Sequence, residues 1–250
     1  MKKIAAVILT KNEEKNIKDV IENVLNCVDE VIVIDSGSND ATAFLAENNG
    51  ARVLYREWDE DFSAQRNFVL DKTDADYILY IDADERMSTE LIKSVKNVVT
   101  KCDVKQYSFM RQIEAFGFEY KHGIFAPDEV TRLFPRTEVK WEHKVHERPV
   151  CHLPKQKLSG TLMHYTYDSW QQWLNKAGQY TSIWAEDSFN KGKRVGKSAA
   201  LTHGFYGFIR AYFLQLGFLD GWAGLYSSLQ HFFYTLLKYW KLYELQQKNK

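Results

Sequence analysis

Carboxylates that directly follow apolar runs are the first residues of this chain able to do chemistry. Asp35 closes Val31-Ile32-Val33-Ile34, and Asp82-Ala83-Asp84 closes Tyr77-Ile78-Leu79-Tyr80-Ile81. Two carboxylates with one small residue between them can offer oxygen ligands to a hard divalent cation that keeps water and substrate phosphates in its other positions, which suits Mg2+ or Mn2+. Such a cation would neutralise charge on a departing diphosphate. A lone acidic residue after a strand is as often a turn former or a helix cap, and Asp40 and Glu85 taken singly read either way. Asp35 and the Asp82/Asp84 pair stand apart because they close two different apolar runs. If those runs are neighbouring parallel strands, their carboxyl ends share one rim and the three groups converge there.

The pattern around them supports strands. Residues 4–9 are continuously apolar and partly β-branched, as in a strand buried on both faces. Asn12 can cap a following helix in which Ile17, Val20, Ile21, Val24 and Leu25 recur at helical spacing, with Glu13 and Glu14 in its first turn. Residues 31–34 form a second strand, and the turn formers Asp35-Ser36-Gly37-Ser38-Asn39-Asp40 lead to a helix closing at Asn49-Gly50. Residues 51–55 read as a third strand, a polar and aromatic loop runs through Trp58 and Phe62, and residues 77–81 form a fourth strand. After a helix beginning near Ser88, residues 104–118 lose helical period, and short antiparallel strands are expected to about Tyr165. A helix then runs from Asp168 to about Lys191, with Trp170, Trp173, Leu174, Ala177, Tyr180 and Trp184 on one side. The fold class implied is α/β, a mostly parallel sheet followed by short antiparallel strands and a helical C-terminal appendage. The expected division is a catalytic domain over residues 1–197, its halves meeting at residue 100, and an aromatic helical segment over residues 198–250.

Bulk properties narrow the partners. Lysine and arginine total 33 against 33 acidic residues in 250, so no global positive field argues for nucleic acid. Cys27, Cys102 and Cys151 are odd in number and lack metal-ligand spacing, which fits reduced thiols of a cytosolic protein. The opening Met1-Lys2-Lys3 and its apolar run are cut short by Lys11, Glu13 and Glu14, and read as a strand rather than a targeting segment. Residues 221–237 carry no Asp, Glu, Lys or Arg, yet Arg210, Asp220, Lys238 and Lys241 punctuate the surrounding stretch. A spanning helix needs about 20 apolar residues. An interfacial pair of helices at a membrane surface is therefore expected, with packing on the catalytic domain or across a homodimer as the alternative.

Four ordered segments carry a resemblance: Val7-Ile8-Leu9-Thr10-Lys11-Asn12-Glu13, Val33-Ile34-Asp35-Ser36-Gly37-Ser38-Asn39-Asp40, Gln65-Arg66-Asn67 and Asp82-Ala83-Asp84-Glu85. The chain resembles the family-2 glycosyltransferases of the GT-A fold, whose nucleotide-binding sheet is Rossmann-like. Through Leu216-Gly217-Phe218-Leu219-Asp220-Gly221-Trp222 it is also similar to the small bacterial enzymes that glucosylate the lipopolysaccharide inner core.

The resemblance implies roles residue by residue. Thr10, Asn12, Glu13, Asp35 and Ser38 would bind the nucleotide, with Asp35 accepting from the base. Arg66 would support nucleotide or diphosphate, Asp82 and Ala83 would lie at the ribose, and Asp84 would hold Mn2+ or Mg2+ with His164 as a further ligand. The family inverts, and related enzymes place a His-Glu pair near Trp141-Glu142-His143-Lys144-Val145-His146-Glu147, so Glu147 is the expected general base and Glu142 the reserve. The family more often uses an acidic pair with Asp as base, and this chain departs from that. His143 and His146 could add a metal or diphosphate contact. Lys191, Lys193, Arg194 and Lys197 would meet diphosphate or an anionic acceptor, or are a solvated helix end. Residues 117–132, with Gly123 and Pro127, would fold over bound donor. The implied reaction moves a hexose, glucose first, from a UDP-sugar to an envelope glycan or glycolipid such as lipopolysaccharide core, at the inner face of the bacterial cytoplasmic membrane with anionic lipid nearby. Two rivals are a sugar nucleotidyltransferase, which would release pyrophosphate, and a catalytically silent membrane-peripheral scaffold. The first usually carries a glycine- and arginine-rich loop where this chain has Thr10-Lys11-Asn12-Glu13.

Overall fold

A computed structural model describes residues 2–98, 104–143 and 147–249. The chain forms two compact units, Met1–Arg111 with Asp128–His164 and Gln112–Pro127 with Tyr165–Lys250.

In the first unit, strands β1 (Ile4–Thr10), β2 (Glu30–Asp35), β3 (Arg52–Tyr55) and β4 (Tyr77–Tyr80) pair in parallel in the order β3-β2-β1-β4. Helices α1 (Ile17–Leu25), α2 (Thr42–Asn48) and α3 (Phe62–Asn67) connect them. The continuous apolar runs arise because both faces of this sheet are covered. Ile4, Ala6, Ile8, Val31, Val33, Tyr77 and Leu79 enter one core with α1, while Ala5, Val7, Ile32, Ile34, Ile78 and Tyr80 enter a second with Phe134 and Trp141. Side chains alternate across a strand, so each run feeds both cores.

Beyond β4 come β5 (Glu85–Met87), α4 (Thr89–Val98), β6 (Gln106–Ala115), β7 (Phe118–Glu119), β8 (Asp128–Pro135), β9 (Lys140–Glu142), β10 (Arg148–Val150) and β11 (Lys155–Tyr167). The sheet continues in the order β4-β8-β6-β11-β5, and β8 is antiparallel to both β4 and β6. Strands β9 and β10 form a separate two-stranded antiparallel ribbon. The expected α/β architecture, mostly parallel first and antiparallel after, is the one observed.

Three local readings are corrected. Asn12 does not cap α1: it has φ +58° and lies in the loop, α1 begins at Ile17, and Glu13 and Glu14 precede it. The loop through Phe62 contains α3, too short to show a period but started by Asp61, whose Oδ1 accepts from the Ala64 N–H at 2.8 Å. The antiparallel strands are not all short, since β6 has ten residues and β11 thirteen.

The second unit holds the β6–β7 hairpin end, α5 (Trp170–Asn190), α6 (Ala199–Ile209) and α7 (Gly221–Lys248). A π turn (Arg210–Leu214) and a 3-10 turn (Gly217–Asp220) link α6 to α7. Gly204 and Gly207 let α6 approach Phe232 and His231 of α7. The face expected of α5 is split: Trp173 and Ala177 are buried, while Trp170, Leu174 and Tyr180 are about half exposed. Among the described residues no helix is long and apolar enough to cross a membrane.

Gly160 of β11 shows how tightly the sheet seats α4. It has φ +96°, and a Cβ there would collide with the backbone of Leu91. Ser88 joins the same pair of elements, donating its N–H to the Thr161 carbonyl and accepting at Oγ from the Thr161 and Leu91 N–H groups. Gly160→Ala should therefore lower unfolding free energy by about 2–4 kcal/mol, through overpacking and a left-handed backbone that disfavours a Cβ. Urea unfolding against the wild type measures it.

Candidate active site

Two loops meet at the carboxyl ends of β1 and β2. Thr10 pairs in register with Asp35, and the Asp35 carboxylate accepts from the Gly37 and Ser38 N–H groups, both at 3.0 Å, from the Ser38 hydroxyl, and from the Thr10 hydroxyl at 3.3 Å. Those four donors fill its acceptor positions. Asn12 donates its N–H to Ser38 Oγ at 2.8 Å and accepts from the Asn39 N–H at 2.8 Å. The Glu13 N–H reaches Thr42 Oγ1 at 2.8 Å. Thr10, Asn12, Glu13, Asp35 and Ser38, expected as nucleotide contacts, thus form one hydrogen-bonded rim.

On the other side of β1, β4 ends at a second cluster built on charge. One Asp82 oxygen accepts from Arg66 at 3.1 Å, the other from Arg132 of β8 at 2.9 Å. Arg132 also donates to Glu85 at 2.9 Å, Glu85 accepts from the Asp82 N–H at 3.0 Å, and Arg111 of β6 lies 3.8 Å from Glu85. Burial alone would lift the Asp82 carboxyl, but the charges of Arg132 and Arg66 overcome it and hold that carboxyl well below the usual aspartate range. Fully buried Glu85 goes the other way: burial raises its carboxyl, with Arg132 pulling it back and Asp82 adding to the rise.

Arg66 is the most constrained of these cations. Only 5% exposed, it lies with its guanidinium carbon 4.7 Å from the Trp141 ring centroid, and Glu147 stands 3.6 Å from its Nη2. Its Nε and Nη1 are buried with no hydrogen-bond partner among the described residues. Arg66, Asp82, Arg111, Arg132, Trp141 and Glu147 line a cavity of about 420 Å3. Asn67 holds the β9–β10 ribbon against α3, donating to the Trp141 carbonyl and accepting from its N–H, each at 2.8 Å.

Asp84 points elsewhere than Asp82. Its Oδ2 meets His164 Nε2 of β11 at 3.3 Å, and the register of β11 on β5 sets His164 opposite Glu85. Buried Ala83 contributes its carbonyl, which accepts from Arg86 at 2.7 Å. Among the described residues no group of three or more His, Cys, Asp or Glu side chains is set to hold a metal. Asp84 and His164 make a pair.

The other expected contributors are not among the residues lining the Arg66 cavity. Glu142 and His143 are exposed on the β9 ribbon, and His146 falls outside the described residues. Lys191, Lys193, Arg194 and Lys197 belong to the second unit, where Lys191 pairs with Asp187, Lys193 lies over Trp184 and Arg194 lies over Phe189. Arg111 and Arg132 were not singled out as site residues. The available signal was that Arg132 lies among the apolar residues Val130, Leu133 and Phe134 of one strand.

Residues 5–154 match the model of glycosyl transferase family 2. The chain belongs to that family. An uncharacterised glycosyltransferase of Rickettsia prowazekii is 30% identical over all of this chain and 89% of its own length. The lipopolysaccharide core biosynthesis glycosyltransferase LpsC of Rhizobium meliloti is 25% identical over 96% of this chain and 92% of its own. Among solved structures, glucosyl-3-phosphoglycerate synthase of Mycobacterium tuberculosis, in complex with Mn2+, uridine diphosphate and phosphoglyceric acid, aligns at TM-score 0.41 and 20% identity, covering 54% of this chain and 56% of that one. Membership in glycosyl transferase family 2 favours glycosyl transfer over the nucleotidyl transfer weighed from the sequence.

The Asp82 ion pairs predict a pH signature. A carboxyl depressed in the folded state stabilises above its unfolded pKa of about 3.9, and that stabilisation is lost as pH falls towards the folded value. The stability difference between wild type and Asp82→Asn should stay constant from pH 7 to 5, at about 1–2 kcal/mol, and shrink only below about pH 4. Urea unfolding across that range reads it.

Proposed function

We propose that this family-2 glycosyltransferase is a metal-dependent inverting hexosyltransferase that moves a hexose, glucose first, from a UDP-sugar to an envelope glycan or lipid-linked acceptor such as lipopolysaccharide core. The observation that carries this reading is Arg66. Its guanidinium belongs to the cavity lining, and its Nε and Nη1 have no hydrogen-bond partner among the described residues; leaving a buried donor unmet costs about 1–3 kcal/mol, so this cation favours an anionic ligand. A diphosphate meets that demand, and the Asp35 rim on the far side of β1 then takes the nucleoside.

Asp84 and His164 fit a divalent cation. A carboxylate oxygen and an imidazole nitrogen 3.3 Å apart supply two ligands and leave the remaining positions to diphosphate and water. A cation bound there would supply charge neutralisation for the leaving diphosphate. Asp82, with both oxygens committed to arginine, serves the ribose side rather than the metal. Glu147, on the cavity wall, is the residue we assign to take the proton from the attacking acceptor hydroxyl. In this reading residues 1–100 hold the nucleotide-sugar, residues 101–197 form the acceptor side and residues 198–250 meet the membrane. Similarity to LpsC supports lipopolysaccharide core as the acceptor class.

Incubation with a panel of UDP-sugars, Mn2+ and delipidated or core acceptors should release UDP rather than pyrophosphate; neither product would mark a silent scaffold. Glu147→Gln should cut transfer by about 100-fold or more while leaving UDP affinity intact, whereas Asp84→Ala and His164→Ala should each weaken Mn2+-dependent UDP binding by about 10–100-fold. Equal loss of UDP affinity in all three variants would remove Glu147 from its role.

Peripheral membrane contact is the companion proposal. Phe213, Leu214, Leu219 and Trp222, at the α6–α7 junction, are each more than half exposed, and Arg210 is the one cation between residues 199 and 229. Exposed aromatics of that density suit a headgroup boundary at the inner membrane face. The full chain should sediment with anionic liposomes, and replacing those four residues with serine should abolish pelleting while leaving soluble-donor binding unchanged. A concentration-dependent dimer that the same substitutions dissolve, without pelleting, would assign the patch to a second subunit.

A further inference from the structure

The second unit contains an aromatic cavity of about 440 Å3 that the donor chemistry does not use. Its wall begins at the turn between β6 and β7. Ala115 pairs with Phe118, so Phe116 and Gly117 are the two central residues, with φ +56° and +76°. A turn with both central residues left-handed normally takes Asn-Gly or Gly-Gly. Phenylalanine there is a strained choice, since bulky side chains rarely enter that region. What the strain secures is visible in the rings. Phe116 stacks with Tyr167 at 5.8 Å and with Trp170 at 4.8 Å, both within 15° of parallel, and its N–H donates to the Tyr167 carbonyl at 2.8 Å.

The cavity is not closed by this stack. Trp170, Phe118 and Tyr226 on its lining remain about half exposed. Asp168, also on the lining, donates its N–H to the Gln172 side chain, yet its exposed carboxylate has neither hydrogen bond nor ion pair among the described residues. Flat apolar faces beside one free acceptor are complementary to a molecule with an apolar C–H face and hydroxyl donors on its edge.

We propose that this cavity binds a pyranose ring, its C–H face against the Trp170 side of the stack and its hydroxyls donating to Asp168. The inference rests on the glycosyl-transfer reading for its source of ligand, a saccharide of the acceptor. An alkyl chain fits less well, because covering the rings with it would strip water from the Asp168 carboxylate and return no hydrogen bond.

Saturation-transfer NMR on the full chain with a panel of methyl pyranosides tests this. The wild type should transfer saturation to the C–H protons of one sugar face, and Trp170→Ala and Asp168→Asn should each weaken binding about tenfold while UDP affinity stays unchanged. Asp168→Asn replaces an exposed side chain and keeps the aromatic stack, so its effect is separable from misfolding. Unaltered pyranoside binding in both variants, or saturation reaching only the tail of octyl glucoside, overturns the assignment. Wild-type protein that binds UDP but no pyranoside also overturns it, and leaves the transferase reading intact.

Discussion

The carboxyl end of β4 depends on arginine. Asp82, Glu85, Arg66 and Arg132 form one ion-paired cluster in which Glu85, Arg66 and Arg132 are buried, so removing any partner leaves an opposite charge uncompensated. The four residues come from three different elements and the turn between two strands. Arg66 lies on α3, Arg132 on the antiparallel strand β8, and the two acids bracket the turn into β5. The ion pairs therefore join the parallel half of the sheet to the antiparallel half at the site itself. The strands that follow β5 are not merely added to the parallel sheet; they supply counter-charge to the acids at its rim.

That constraint also explains the division of labour within Asp82-Ala83-Asp84. With one guanidinium on each Asp82 oxygen, two of its roughly four acceptor positions are taken and its charge is already met. Asp84 has no arginine partner among the described residues and meets the His164 imidazole instead. Buried Ala83 between them hands its carbonyl to Arg86, which also reaches the Asn16 carbonyl and so ties this turn to the start of α1. Two acids in one short segment thus meet different surroundings, and their surroundings decide what each can do.

Much of this was legible from residue types because burial leaves a plain record. A strand sandwiched between two cores must be apolar at every position, and β1, β2 and β4 were recognisable on that ground. Asp35 and Asp82 stood out as the residues where those runs break. The α3 helix was not legible: six residues started by one aspartate carry no period, and its stability comes from Asn67 gripping a ribbon more than seventy positions away. Asn12 read as a cap because loop asparagines and capping asparagines are the same residue; only the positive φ and the bond to Ser38 separate them. Arg132, unlike Arg66, was hidden for a related reason, since an arginine in a strand looks solvated until a buried acid is known to lie opposite.

The β9–β10 ribbon is attached unlike anything else in its unit. It is outside the main sheet, and the bonds that hold it run from two side chains of α3, Asn67 to Trp141 and Ser63 to the His143 carbonyl. Glu147 immediately precedes the return strand of this ribbon, β10. A hairpin outside the sheet, anchored by Trp141 in the core and by two side chains of α3, can change beyond those anchors without disturbing the register of β1, β2 or β4. Descendants of this scaffold could thus diverge in what they modify while preserving what they spend.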